Sequence, residues 1–201
     1  ITKTIFLKIW ALPSGGSAIS DSGLYVWYRT AAGGDTFATT HNGANYPVIF
    51  AVYEFPAGST FVKSVSGTGV LNTGANPNLT GLSGTNLIFG VKATAMASGW
   101  TYGGAVWSSG YVEDYDDSVP FSSTDGYWLT IAAQEGVTTS SAQPTATISG
   151  MSHTAEALTF AVNVPATGVF AAVSGRVATV SSVSGAVAVQ GSLSGRVATV
   201  S

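Results

Sequence analysis

The sequence contains no cysteine and few charged residues. Because cysteine is absent from all 201 residues, neither a disulfide framework nor a thiolate metal site can form, and the redox compartment stays open. Charged residues make up 8% of the chain, against about 25% in an average soluble domain. The formal net charge is −3, and the seven lysines and arginines form no basic cluster. Since binding to a phosphate backbone needs several positive charges acting together, we expect no nucleic-acid partner.

The sequence also lacks a long apolar run. A membrane-spanning helix needs about 20 consecutive apolar residues, whereas the longest candidate, Ala157–Val173, is interrupted by Asn163 and Pro165. We therefore expect no membrane span. The segment Ile1–Trp10 has Lys8 within its apolar part, and we expect a first strand there rather than a signal peptide.

No arrangement of catalytic or metal-binding residues is recognisable. His41 and His153 are the only histidines, and they do not have the spacing of metal ligands. No Gly-x-Ser-x-Gly segment supplies a serine nucleophile. We therefore expect neither an enzyme nor a bound cofactor.

The only charge run consists of Glu113, Asp114, Asp116 and Asp117. Carboxylates are ligands for Ca²⁺, but the run lacks the Asp-x-Asp-x-Asp-Gly pattern of a calcium loop. Contiguous acids also do not place two carboxyl groups across a sugar ring, as a glycosidase requires. We expect a solvated, like-charged turn.

Strand patterns dominate what the sequence does contain. Tyr46–Phe55 is apolar on both faces at strand period and is bounded by turn residues, which predicts a central strand covered on both sides. We predict Ser66–Gly84 to be mostly loop, with at most one short strand. The other predicted strands are Thr4–Leu12, Leu24–Thr30, Asp35–Thr40, Thr60–Val65, Asn86–Thr94, Tyr127–Gln134, Ala146–Ile148 and Ala155–Val164. Many short strands with turns between them predict an all-β fold, an antiparallel, jelly-roll-like β-sandwich over residues 1–165.

Aromatic residues are concentrated between Ser98 and Tyr111. Trp100, Tyr102 and Trp107 lie among glycines there, and they are the best candidates for stacking against a glycan, since aromatic rings combine a flat apolar face with polar edges. The other interpretation is that these rings fill the core or a contact between subunits, and the composition favours it.

The C-terminal residues 166–201 are periodic. From Val173 the sequence repeats every ten residues, and the octapeptide Ser174–Ser181 returns unchanged at Ser194–Ser201. Each unit combines a Ser-Gly turn with about five strand-forming residues, too few to be stable alone, so the units need neighbouring strands. Valines recur at the same place in each unit, at Val177, Val187 and Val197. The pattern favours a β stalk or arm in a homo-oligomer, most plausibly a trimer, over a flexible Gly/Ser-rich tail.

Three stretches resemble a known β-sandwich module. Tyr28–Thr36, Val52–Gly58 and Asn86–Gly90 are similar to segments of a module in virion proteins of tailed bacteriophages and in some bacterial surface proteins. The Ser-Gly-Arg-Val-Ala-Thr-Val repeat resembles C-terminal tracts of phage minor tail and capsid-surface proteins. Pro56-Ala57 departs from the module, in which Gly follows directly, and the acidic run has no counterpart in it.

The resemblance implies structure and assembly rather than catalysis. It leads us to expect a virion structural protein, either a capsid decoration protein or a minor tail or fibre component. Its partners would be copies of itself and other virion proteins. The alternative is a glycan-binding module for attachment to a host surface.

Overall fold

The computed structural model describes residues 3–11, 22–30, 48–55, 58–71, 74–96, 103–120, 126–149, 154–165, 169–177 and 194–199. Every regular element in these ranges is a strand, and all the strand pairs are antiparallel. The predicted all-β, antiparallel fold class is therefore confirmed. The described part of the chain has no helix of the length and apolar character that crossing a membrane requires.

The strands are numbered in chain order. They are β1 (Lys3–Ala11), β2 (Ser22–Thr30), β3 (Val48–Phe55), β4 (Thr60–Leu71), β5 (Leu79–Thr80), β6 (Asn86–Met96), β7 (Ala105–Trp107), β8 (Val112–Pro120), β9 (Gly126–Val137), β10 (Ser141–Ala142), β11 (Ala146–Ile148), β12 (Thr154–Asn163), β13 (Val169–Val177) and β14 (Ser194–Thr199).

Most of the strands belong to two five-stranded sheets. The first sheet has the order β14-β13-β3-β1-β2, and the second sheet has the order β4-β12-β6-β9-β8. Two small pairs, β5 with β10 and β7 with β11, complete the described elements. The predicted central strand is β3, which lies in the middle of the first sheet between β1 and β13.

The main hydrophobic core lies between β3 and the second sheet. Tyr53 and Phe55 of β3 are buried, and their rings approach Phe89 of β6 with centroid distances of 4.7 and 6.1 Å. Phe89 also stacks on Phe160 of β12 at 4.5 Å with an interplanar angle of 7°. Alternate residues of β6, β9 and β12 point to this side, as expected for strand period. The core therefore joins segments that are far apart in the chain.

Some predictions differ from the described structure, and others lie outside it. β4 continues six residues beyond the predicted end at Val65, to Leu71, and it has two register shifts against β12, one between Phe61 and Lys63 and one between Gly67 and Val70. Asp35–Thr40 lies outside the described residues. The jelly-roll-like sandwich and the division into residues 1–165 and 166–201 stay predictions. In the first sheet β13 is hydrogen-bonded to β3, and β14 is hydrogen-bonded to β13.

We expect Phe89→Ala to lower the free energy of unfolding by about 3–5 kcal/mol, because it removes a ring that contacts both sheets and leaves a cavity. Urea unfolding followed by circular dichroism measures the loss. Val106→Ala, at a side chain that is 72% exposed, is the control and should change stability by no more than about 0.5 kcal/mol. Equal effects of the two substitutions would contradict the assigned core.

Candidate functional site

An additional layer covers the face of the second sheet that points away from β3. We call residues 74–82, 103–111 and 138–149 the outer layer. Its segments are joined to one another by backbone hydrogen bonds, Asn76 N to Pro144 O at 2.8 Å and Ser108 N to Thr145 O at 2.8 Å. The strand pairs β5–β10 and β7–β11 belong to it. Strands β6, β9 and β12 are thus covered on both faces, by the core on one side and by the outer layer on the other.

Asn76 attaches the outer layer to the second sheet. Its side chain is fully buried, and its Nδ2 donates to the carbonyl oxygens of Val91 at 3.1 Å and Leu158 at 3.0 Å. Val91 and Leu158 are partners in the β6–β12 ladder. One amide group therefore bridges two strands, and it holds the outer-layer backbone against them.

Lys92 makes a second attachment with a buried charge. Its Nζ donates to the carbonyl oxygens of Gly74 at 2.6 Å and Ala146 at 3.1 Å, so that it joins two outer-layer segments to β6. Burial lowers the pKa of Lys92 to about 8, because desolvation disfavours the ammonium form. The hydrogen bonds to backbone carbonyls give this lysine a structural role.

The ring of Trp107 lies against the second sheet at Gly90. Its indole Nε1 donates to Thr130 Oγ1 at 3.0 Å. A Cβ atom at Gly90 would lie 2.6 Å from Trp107 Cζ3 and 2.7 Å from Pro144 Cβ. Only glycine permits this close approach of the outer layer to β6. The ring of Tyr111 lies beside Trp107 with a centroid distance of 6.4 Å.

The predicted glycan-stacking residues are only partly described. Trp107 is half-buried, and both its N–H and the part of its ring over Gly90 are engaged in packing. Trp100 and Tyr102 lie outside the described residues. The contacts of Trp107 support the interpretation in which this ring fills space between layers.

The prediction of a solvated turn for the acidic run was wrong. Glu113, Asp114, Asp116 and Asp117 belong to β8, the strand at one edge of the second sheet. The run is a strand because it pairs with the apolar strand β9, with one register shift between Glu113 and Tyr115. This pairing outweighs the low strand propensity of Asp and Glu.

Asp116 links β8 to the outer layer. Its carboxylate accepts hydrogen bonds from the Ala105 backbone N–H and from Trp128 Nε1, each at 3.1 Å, and from the hydroxyl of Thr130. Burial raises the pKa of Asp116, and these donors oppose the rise by stabilising the carboxylate. Among the described residues, no group of three or more His, Cys, Asp or Glu side chains is placed to hold a metal ion.

The repeat valines are in part described. Val177 is the last residue of β13 and is paired with Val48 of β3, whereas Val197 lies in β14 and is paired with Ala171. Val187 lies outside the described residues. Part of the first repeat unit therefore lies in β13, and part of the last unit lies in β14. Both strands belong to the first sheet, in which β13 lies between β3 and β14.

No family model matches the chain, and comparisons with curated proteins and with solved structures give no significant match.

Sequence reasoning missed the attachments of the outer layer. A lone lysine in the apolar strand Asn86–Met96 could have been recognised, since Lys92 falls on the face opposite Phe89 at strand period. Asn76 carried no such signal, because its partners are carbonyl groups 15 and 82 residues away in the chain.

We expect Gly90→Ala to destabilise the protein by about 1–3 kcal/mol, since the added methyl group must displace Trp107 and Pro144. Urea unfolding gives the loss, and tryptophan fluorescence should report the displaced ring. Ser64→Ala, at an exposed position of β4, is the control and should leave both signals unchanged. A Gly90→Ala protein with the stability of the unsubstituted chain would contradict the close approach.

The lowered pKa of Lys92 predicts a pH dependence of stability. The pKa is about 8 in the folded chain and 10.5 in the reference state, so between these values the unfolded chain binds more protons. The free energy of unfolding should therefore rise as the pH increases from about 8. Lys92→Met, which leaves an unbranched side chain one atom shorter and removes its charge, should abolish this rise in urea unfolding between about pH 7 and about pH 9.5.

The matched control for this pH series is Lys63→Met. Lys63 lies at an exposed position and donates to Thr80 O at 3.1 Å, so its removal should keep the rise. An equal rise in the unsubstituted protein and in Lys92→Met would show that another group causes it.

Proposed function

We propose that this chain is a structural protein of a bacteriophage virion, and that it assembles with copies of itself through strands of its first sheet. Its role would be that of a capsid decoration protein or of a minor tail or fibre component. The observation that best supports this proposal is the position of the repeat units in the first sheet. The first unit pairs with the central strand β3, and the last unit forms β14, the outermost strand on that side of the described sheet.

Strand pairing is a suitable means of assembly for such a chain. An outer strand presents backbone N–H and C=O groups that can bind a strand of another molecule. The β3–β13 and β13–β14 ladders run without a register shift over their paired residues. By contrast, β4 and β8, which are the outer strands of the second sheet, both have register shifts against their neighbours. Register shifts and charges hinder pairing at an edge, so the first sheet is the better place for contacts between copies.

The polar groups of the outer layer also favour a structural role. Asn76, Lys92 and Asp116 donate to or accept from backbone groups that hold the layers together. These contacts stabilise the fold and give no reason to invoke a reaction. The resemblance to virion modules points the same way, and it is the reason for naming a phage particle.

The glycan-binding alternative has less support from the described residues. Its platform would consist of Trp100, Tyr102 and Trp107, of which only Trp107 is among the described residues. The indole N–H of Trp107 is donated to Thr130, and part of its ring lies over Gly90.

The proposal predicts an oligomer in solution and a location on the particle. Multi-angle light scattering of the full chain should give a mass near three times the 20.3 kDa of one copy, and immunogold labelling should mark virions of a phage that encodes the chain. A monomer at all concentrations, together with unlabelled particles, would overturn the proposal. Specific binding on a glycan array by such a monomer would favour the alternative.

A further inference from the structure

The octapeptide that occurs twice has a different partner in each copy. In the first copy, Ser174–Val177 pairs with Val48–Ala51 of β3. In the second copy, Ser194–Thr199 pairs with residues 169–174, most of which lie before the first copy in β13. One amino-acid sequence therefore occupies two positions in the first sheet, one internal and one at its described edge.

Identical sequences are equally suited to one pairing site. If the second copy lay on β3 in the register of the first, Arg196 would face Ile49, as Arg176 does, and Val197 would face Val48, as Val177 does. The backbone hydrogen bonds would be the same, since the ladder depends on the backbone of both strands. The residues just before the two copies differ moderately, Ala172-Val173 against Ser192-Leu193.

We propose that β3 accepts Ser194–Val197 of a second copy of this chain in place of its own Ser174–Val177, so that copies are joined by exchange of identical strands. This inference rests on the self-assembly proposed above and adds to it the partner, the strand and the register. Each copy both provides a strand and receives one, so the contact is head-to-tail. Such contacts close into rings, of which a trimer is one, when the rotation between neighbouring molecules closes, and form open filaments when it does not.

In the closed form β3 pairs with Ser174–Val177 of its own chain, and in the exchanged form it pairs with Ser194–Val197 of another molecule. The balance between the two forms depends on concentration. The two pairings with β3 have similar free energies, because the same four residues pair with the same strand, but exchange also breaks the pairing of Ser194–Val197 with residues 171–174 in the donor. Pairing of β3 with Ser174–Val177 of the same molecule is favoured because the connection before β13 is short: β12 ends at Asn163 and β13 begins at Val169. A short connection gives an effective concentration in the millimolar range. Exchange should therefore become dominant where many copies are held side by side.

Introduced cysteines can distinguish the two forms, because the natural chain has none. In the closed form, Ile49→Cys and Arg176→Cys in one molecule should give a disulfide within the chain, since positions 49 and 176 are partners. In the closed form, position 196 is paired with Ala172 of β13, which is paired with Tyr53 of β3. Position 196 is therefore two strands away from β3, at the level of Tyr53, which is about 13 Å along that strand from position 49. That separation is too great for a disulfide.

The test mixes two single variants, Ile49→Cys and Arg196→Cys, and oxidises them at increasing protein concentration. The control mixture contains Ile49→Cys and Ala198→Cys, which is two residues out of the exchanged register. We expect the mixed disulfide between positions 49 and 196 to form several-fold more than that between 49 and 198, and to increase with concentration. Mass spectrometry of the intact chains identifies each product.

Three results would overturn the exchange, and they differ in what they mean for self-assembly. Equal yields in the two mixtures, with an oligomer in light scattering, would reject the exchange and leave the proposed assembly in place. Equal yields with a monomer would reject both. Failure of Ile49→Cys/Arg176→Cys to form its internal disulfide, in a chain that keeps its circular dichroism spectrum, would reject the register from which the exchange is derived.

Discussion

The packing of β6 between two layers is the constraint on which the described structure depends. On one side Phe89 stacks on Phe160 and meets Tyr53 of the first sheet. On the other side Gly90 allows Trp107 and Pro144 to approach the backbone. A strand that is buried on both faces must satisfy every polar group near it from within the protein, because water is excluded. The positions of the other layers follow from this requirement.

Three polar side chains between the layers meet part of that requirement and give the outer layer a defined position, whereas the buried Asn76 Oδ1 has no hydrogen-bond partner among the described residues. Asn76 and Lys92 donate to backbone carbonyl groups, whereas Asp116 accepts from a backbone amide and from side chains of β9. Each of these three side chains forms its hydrogen bonds at the junction between the second sheet and the outer layer. Hydrogen bonds of this kind are directional and costly to lose in a buried place, so they select one arrangement of the loops. These contacts explain the few charges in the interior without reference to catalysis.

The first sheet has a different property, because its strands come from both ends of the chain. β3 pairs with β1 on one side and with the repeat strand β13 on the other. A repeat of identical sequence in such a position stabilises a single copy and, at the same time, is suited to pairing with another. In the exchange proposed above, assembly and folding use the same backbone hydrogen bonds.

The sequence by itself determined the all-β class and the places of most strands, including those at Leu24–Thr30, Asn86–Thr94 and Tyr127–Gln134. Strand period, β-branched and aromatic residues and turn residues act over a few neighbouring positions, so they are readable locally. Only the tertiary structure decided that the acidic run is the edge strand β8, that Lys92 is buried and that the first repeat unit lies beside β3. Each of these depends on a partner far away in the chain, which leaves no local pattern except for the lone lysine in the apolar strand Asn86–Met96. The free energy of pairing and burial then outweighs the local preference of the residues concerned.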